Sequence, residues 1–396
     1  MSKISILAIS DVHIGCPRLN PYLLHQKFIK YVYPHITPEI SILFVCGDFF
    51  DTLLNLNAFA AFEAMEIIKE LKSLCRKSSV DLRILRGTFT HDRNQPRHFV
   101  NGENQDDLSV RLYDTMSVEH HEKTGLNILY MPDNLVSTDV YDDIRNLLEK
   151  HNLEKVDILV HHGYFKHMLP QALLVKGLPH GCLEVEKTNK FVKGCVLNGH
   201  VHISSIYQNV ISIGSFDRMA HGEEEPKGFY RIDIQDGVYS FQFLENKDAS
   251  KFLTFNLLPF STEEAIPYFM KKWEALIPSF KENEPVRIRI MSNDKAVIEG
   301  CSQAAKSLYE QVSIDQSSVV KRDNLIENIK VDLEELPKIT DTNLTDLLLP
   351  ILKKTNPNIT AERVQDILTA VGCQPKEEKN ASTDTTAKPE GGENTC

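Results

Sequence analysis

Asp11-Val12-His13, Gly47-Asp48-Phe49-Phe50-Asp51, His91-Asp92, His161-His162-Gly163 and Gly199-His200-Val201-His202 are short polar clusters, each just downstream of an apolar run. Together they supply Asp, His, Asp, His, His and His, a set of oxygen and nitrogen donors without thiolate. That set suits divalent manganese, iron or zinc better than calcium. Two such cations about 3.5–4 Å apart can activate water near neutral pH and neutralise charge building on a phosphoryl group under attack. Cations that close repel each other, so a carboxylate must lie between them. Asp48, directly after an apolar run and a glycine that tightens the turn, is the best candidate bridge. Asp11 and His13 stand at i and i+2, as do His200 and His202, so each pair can offer ligands to one centre where a strand ends. His161 closes the apolar run 158–160 and is a further ligand candidate. Alone, each cluster reads as a turn or a helix cap. In the same setting five times over, they read as one site.

The elements that must position these clusters are strands and helices in alternation. Runs at 4–9, 41–46, 82–85, 127–130, 157–160 and 196–197 are short, rich in Ile, Leu and Val, and abruptly ended. Nearly continuous apolar strands imply burial on both faces. A helix is expected over 57–75, with Phe59, Phe62 and Met65 on a face packed against a sheet, and another over 141–150. The expected fold class is α/β, a layered sandwich of two sheets flanked by helices. In such sheets functional side chains gather beyond the carboxyl ends of the strands. A strand is expected at 210–213. The segments 228–234 and 238–244 alternate as a hairpin around Asp236-Gly237 and close the sandwich.

Beyond a boundary placed near 245–260 the character changes. A strand at 286–291, a helix at 304–312 and a short strand at 319–321 suggest a small α/β cap. Two helices, 341–354 and 360–371, follow, and Pro350 should kink or shorten the first. The expected division is 1–250, a cap at 260–335, a helical segment at 336–373 and a polar tail at 374–396 expected to be disordered.

Composition bounds the function. The chain has 396 residues, 42% hydrophobic and 25% charged, as in an ordinary soluble globular protein. Its net charge of −11 excludes a bulk-basic nucleic-acid binder but not a locally basic groove. Eight cysteines without a C-x-x-C pair point to a reducing cytoplasm rather than a disulfide scaffold. No stretch is expected to span a bilayer, and the apolar run near Met1 is too short for a signal peptide.

The order D-x-H, G-D-x-x-D, H-D, H-x-G, G-H-x-H resembles the calcineurin-like metallophosphoesterases over about residues 1–245. The stretch Gly214-Ser215-Phe216-Asp217-Arg218, followed by Glu223–Glu225 and Lys227-Gly228-Phe229, is similar to that of the SbcD-type DNA repair nuclease subunits, above all their bacteriophage versions. The resemblance implies that Asp11, His13 and His202 hold one metal ion, that Asp48 bridges, and that His161 and His200 hold a second, manganese being the expected ion. It implies that His91 orients the phosphate and protonates the leaving oxygen, with Asp92 fixing its ring, while Asp51 and His162 play supporting parts. The family usually has G-N-H-D where this chain has Gly87-Thr88-Phe89-Thr90-His91-Asp92. Thr90 falls in the place of the asparagine ligand when the stretches are aligned on His-Asp, with Thr88 or a water as alternatives. A neutral hydroxyl is a poorer donor than an amide carbonyl, so looser binding of the second ion is expected.

The implied activity is metal-dependent cleavage of DNA in a recombination and repair complex. The implied partners are double-stranded DNA, bound by the cap at 260–335, a second copy of the chain in a homodimer, and an SbcC-type SMC-like ATPase docked on the C-terminal helices. Arg83, Arg86, Arg93 and Arg97 flank the His91 loop and are candidate phosphate contacts. The competing readings are a protein or small-phosphodiester phosphatase on the same fold and a metal-poor scaffold.

Overall fold

The computed structural model describes residues 3–55, 57–101, 108–133, 139–169, 181–281 and 284–315, with Leu349, Thr360, Ala361 and Val364. Met1–Val320 form one compact unit and Lys321–Cys396 a second. The strand expected at 319–321, the helical segment at 336–373 and the tail at 374–396 fall outside the described residues but for those four.

Two six-stranded sheets make the larger part of the first unit. The first sheet contains β1 (Ile4–Ile9), β2 (Ile40–Cys46), β3 (Asp81–Leu85) and β4 (Val110–Tyr113), all parallel. The hairpin of β11 (Gly228–Gln235) and β12 (Val238–Glu245) extends this sheet antiparallel to β1, giving the order β12-β11-β1-β2-β3-β4. The second sheet runs β5-β6-β7-β8-β10-β9, built from Ser117–His121, Leu126–Met131, Val156–His162, Val192–Gly199, Val210–Ser212 and Ser205–Tyr207 in that order. Here β6, β7, β8 and β10 are parallel.

Each strand is apolar on both sides because each sheet is covered twice. Between the sheets lie Ile6, Ala8, Phe44 and Cys46 from the first and Ile128, Tyr130, Ile158, Val160 and Leu197 from the second. The alternate residues Leu7, Ile9, Leu43 and Val45 face helices α1 (Pro21–Lys27) and α2 (Phe59–Lys77). On the second sheet, Leu129, Leu159 and Val196 face α4 (Val140–Lys150), the helix after the single turn α3 (Phe89–Asp92). The result is the expected α/β sandwich of two sheets between helices. Burying each such aliphatic or aromatic side chain contributes about 1.5–3 kcal/mol.

Helix α2 turns the opposite face to the sheet from the one expected. Helix α2 buries Ala61, Ala64, Ile67, Ile68, Leu71 and Cys75, whereas Phe59, Phe62 and Met65 are 57%, 60% and 41% exposed. Small alanines let the helix lie close on the sheet, and the bulky stripe turns outward.

A short helix α5 (Val185–Thr188) precedes β8. After β12, a separate parallel sheet forms from β13 (Lys251–Asn256), β14 (Val286–Met291) and β15 (Val312–Ile314). Helices α6 (Thr262–Leu276) and α7 (Lys295–Leu308) pack on it through Phe269, Trp273, Val297 and Cys301. The helix expected at 304–312 is therefore the end of α7 followed by β15. Among the described residues no helix is long and apolar enough to cross a membrane.

The sheets are also tied by a buried ion pair. Arg83 in β3 donates Nε and Nη2 to Glu119 in β5 at 2.8–3.0 Å, and the Tyr130 hydroxyl donates to the same carboxylate at 2.7 Å. Arg83 is 2% exposed, which removes it from the candidate phosphate contacts. Burial opposes the charge on Glu119, but its bonds from Arg83 hold the carboxyl below its ordinary value. A carboxyl shifted down stabilises the fold above the unfolded value and loses that contribution as pH falls through the folded value. Glu119→Gln should therefore cost about 3–5 kcal/mol at pH 7. In urea unfolding, the gap to the parent chain should narrow as pH falls below 4.5, the ordinary value for glutamate. A gap that does not change with pH would contradict the ion-pair account.

Candidate metal centre

The carboxyl ends of β1, β2, β3, β7 and β8 converge, and the loops leaving them hold the polar clusters. The backbone there is unusual. Asp11, His13, Asp48 and His200 have φ of 49°, 49°, 48° and 81°, the left-handed region that non-glycine residues seldom enter. The loops interlock: Asp11 N–H donates to the Gly47 carbonyl at 3.1 Å and His13 N–H to the Asp48 carbonyl at 3.0 Å. Gly47 has φ +93°, and a Cβ there would stand 2.2 Å from His162 Nδ1, so the turn requires glycine.

Two groups of donors result. Asp11, His13 and His202 form the first, and Asp48, His162 and His200 the second; within each, the ligand atoms lie within 4.8 Å of one another. His13, Asp51 and His91 form a third such group beside them. Asp48 stands between the first two: its Oδ2 is 3.8 Å from His13 Nε2 and 3.1 Å from His162 Nε2. The structure thus brings together Asp11, His13 and His202, the three residues expected to share one ion, and puts the Asp48 carboxylate between the first two groups.

Two expected residues are displaced by neighbours. His161 stays outside the groups and His162 enters. The pleat decides this, because His162 follows Ile158 and Val160 into the space between the sheets, while His161 follows Leu159 to the outer face. There His161 Nδ1 bonds Asn198 Oδ1 at 2.7 Å, and burial pushes its pKa down to about 3. His162 Nδ1 donates to the Cys46 carbonyl at 2.8 Å, which turns Nε2 toward Asp48. Thr90 is exposed on α3, and Thr88 takes the inner place. The Thr88 hydroxyl lies 3.2 Å from Asp48 Oδ2, 3.4 Å from His162 Nε2 and 3.3 Å from His200 Nδ1.

Asp92 also differs from expectation. It is fully buried and accepts the backbone N–H groups of Asp48, Phe50 and Gly87 at 3.1, 3.0 and 2.7 Å. It fixes the loops rather than the His91 ring. The ring is fixed by the Asp51 carbonyl, which accepts from His91 Nδ1 at 2.5 Å. Burial and the Asp48 charge push the Asp92 carboxyl up to about 6.

The electrostatics fit cations. His13 Nε2 and His202 Nε2 point at each other across 3.2 Å, a poor arrangement for two imidazoles with nothing between them. Burial opposes charge on His13 and His162, yet Asp11, Asp51 and Asp48 raise His13, and Asp48 and Asp11 raise His162, each to about 10. Burial would raise Asp11 and Asp48, but the same histidines hold both below the ordinary aspartate value. Burial and the charge of His162 hold His200 below its ordinary value. Protons on imidazoles here do what divalent cations would do, and cation binding would expel them.

Glu223 enters the sequence reading only as part of a motif, and in the structure it orients the His202 ring. Its Oε1 accepts from His202 Nδ1 at 3.0 Å, leaving Nε2 for the donor group. Such carboxylate–imidazole pairs orient metal-binding histidines. Buried Lys227 donates to the His202 carbonyl at 2.9 Å and sits 3.3 Å from Glu223 Oε2. His13, Asp48, His200, His202 and Glu223 border an open cleft of about 590 Å³ that also presents His91, Arg18 and Tyr164.

No family model matches the chain. It is similar to "Putative phosphoesterase 244L" of Invertebrate iridescent virus 6, 23% identical over 305 residues that cover 72% of this chain and all of that protein. A solved crystal structure aligned over 61% of this chain and the whole of that one has 12% identity and a TM-score of 0.34.

The exchange of His161 for His162 is open to test. His162→Ala should lower bound manganese by about one ion per chain, read by elemental analysis after gel filtration. His161→Ala should keep the metal content and lower only thermal stability, because the cavity and the Asn198 contact are structural. Loss of metal in His161→Ala with retention in His162→Ala would reverse the assignment.

Proposed function

We propose that the chain is a metal-dependent phosphoesterase that hydrolyses phosphodiester bonds in DNA. The carrying observation is the pair of donor groups joined through Asp48 at the mouth of a cleft. The likeness to the viral phosphoesterase supports the reaction class, and the resemblance to SbcD-type nucleases supports the substrate. Asp11, His13 and His202 would hold one divalent ion and Asp48, His162 and His200 a second, with manganese the preferred ion. Such ions supply Lewis acidity toward phosphoryl oxygens and an activated water near neutral pH.

The chain's own groups do the rest. The Asp51 carbonyl accepts a hydrogen bond from His91 Nδ1–H and so orients the ring, which borders the cleft; in the imidazolium form its Nε2–H gives a proton to the leaving oxygen and the ring returns to the Nδ1–H tautomer. Thr88 secures the bridging carboxylate with its N–H at 2.6 Å and its hydroxyl at 3.2 Å. As a neutral donor next to His162 and His200 it makes the second ion the looser one. Exposed Arg93 and Arg97 lie beyond α3 and suit phosphates flanking the scissile one.

The same reading includes two protein partners. The exposed stripe Phe59, Phe62 and Met65 on α2 suits a homodimer contact. The segment 336–373 would dock an SbcC-type ATPase.

End-labelled duplex DNA should be digested in manganese and not in chelator. His91→Ala should slow cleavage by ~10²–10⁴-fold with metal content retained. Faster turnover of phosphopeptides than of DNA, or undiminished cleavage by His91→Ala, would overturn the assignment. For the dimer, Phe59→Glu with Phe62→Glu should convert the sedimenting species to monomer without changing hydrolysis of a small phosphodiester. An unchanged sedimentation coefficient would remove α2 from the contact.

A further inference from the structure

The cleft at the donor groups is bordered by one arginine to which the metal centre gives no part. Arg18 stands in the loop between β1 and α1, and among the described residues bordering the cleft it is the single lysine or arginine. We propose that Arg18 is a catalytic residue whose guanidinium donates to a non-bridging oxygen of the phosphoryl group under attack; the inference rests on the phosphoesterase reading.

The turn that carries Arg18 is built to hold it. Leu19 N–H donates to the Cys16 carbonyl at 2.9 Å, which closes a turn with Pro17 and Arg18 at its two central positions. Proline at the first of these presets the backbone angle the turn needs. The turn is tied to a donor residue at its start, where Cys16 N–H donates to the His13 carbonyl at 3.0 Å. Cys16 and Leu19 are buried against Met219, while Pro17 and Arg18 are exposed. Buried shoulders on both sides fix where the exposed cation stands.

The guanidinium itself is steered. Arg18 Nη1 donates to the Met219 carbonyl at 3.2 Å. Met219 is in turn fastened to the metal centre. Its N–H donates to Glu223 Oε2 at 3.1 Å, and Oε1 of the same carboxylate accepts from His202 Nδ1 at 3.0 Å. One residue thus links the placing of the imidazole to that of the guanidinium. A guanidinium has five N–H donors in a planar fork, so the bond to Met219 leaves most of them for a ligand.

Charge points the same way. The carboxylates on the cleft, Asp48, Asp51 and Glu223, face His162, His13 and His202. Among the described residues Arg18 pairs with none of them, so its charge is left for an anion. In the proposed reaction a bond forms between the water oxygen and phosphorus, and the bond to the leaving oxygen breaks. His91 protonates the leaving oxygen, and the proton given up by the water passes to solvent. Negative charge builds on the non-bridging oxygens during attack. Arginine keeps its protons throughout, and its charge-assisted hydrogen bonds strengthen as that charge grows.

The test is hydrolysis of bis(p-nitrophenyl) phosphate by the full chain in manganese, with Arg18→Ala and Arg18→Lys. Arg18→Ala should lower kcat by ~10²–10³-fold, as loss of one preorganised donor does, with manganese content and thermal melting unchanged. Arg18→Lys should recover little, because an ammonium lacks the planar fork. Guanidinium chloride, below denaturing concentrations, should restore part of the rate in Arg18→Ala and not accelerate the parent chain. Undiminished hydrolysis by Arg18→Ala would overturn the inference. A loss that guanidinium does not restore, or one accompanied by loss of manganese, would make Arg18 a support of the loop and overturn it too. So would a defect confined to the KM for oligonucleotides, which would place Arg18 on a flanking phosphate. If the parent chain hydrolyses no phosphodiester, the phosphoesterase reading fails instead. Calorimetry of inorganic phosphate on the manganese-loaded chain then judges Arg18 alone. Affinity should fall about tenfold in Arg18→Ala, the loss of one charge-assisted hydrogen bond. Equal affinities, or no binding to either chain, would overturn the inference.

Discussion

Three buried aspartates, Asp11, Asp48 and Asp92, stand within one layer of loops, and their repulsion is the constraint around which the structure is arranged. Each is answered differently. Asp92 is held by three backbone N–H groups and retains a proton more readily than an ordinary aspartate. Asp11 takes the His200 N–H and the Ser10 hydroxyl. Asp48 takes the Thr88 N–H and faces His162. Backbone amides alone cannot balance so much negative charge away from water, so imidazoles or cations must complete it. The left-handed φ angles of Asp11, His13, Asp48 and His200 follow from the need to turn these side chains inward within one or two residues of a strand end. Such strain persists only where the surroundings enforce it, here through the bonds between the β1 and β2 loops.

Much of this was legible in the sequence because parallel strands buried on both faces end abruptly, and polar residues immediately after them have few places to go. The α/β sandwich and the β11–β12 hairpin follow from that, whereas the grouping of Asp11, His13 and His202 beside Asp48 was implied by the resemblance to the metallophosphoesterases. What was not legible depends on parity. The run Ile158–Val160 is apolar at every position, so nothing in it says whether His161 or His162 faces inward; only the pairing of β7 within a covered sheet does. The same limit applies to Thr88 and Thr90. The loop coils into a single turn, and its phase is set by Asp92 reaching back to the Gly87 and Phe50 amides.

Helix α2 shows a different failure. Its periodicity marked a helix correctly, but the larger residues were assigned to the core. Close approach to a twisted sheet favours Ala61 and Ala64 there, with Ile67, Ile68 and Leu71 completing the contact. An apolar stripe left outside is a cost in water unless something covers it. Its outward orientation is therefore informative about association, where a packed stripe would have spoken only of the fold.

The loop 214–227 connects these levels. Glu223 orients His202, while Asp217 in the same loop accepts from Ser250 N–H, Ser250 Oγ and Lys27. Arg218 reaches the Ala249 and Ser250 carbonyls, and His221 contacts Thr254 and Phe252 on β13. One face of this loop thus belongs to the donor cluster and the other to the start of the three-stranded sheet. Lys27 and Ser250, which hold Asp217, therefore share a loop with the carboxylate that orients His202. The hydrogen bonds of this loop are committed on both sides, so its conformation is fixed jointly by the donor cluster and by the start of β13.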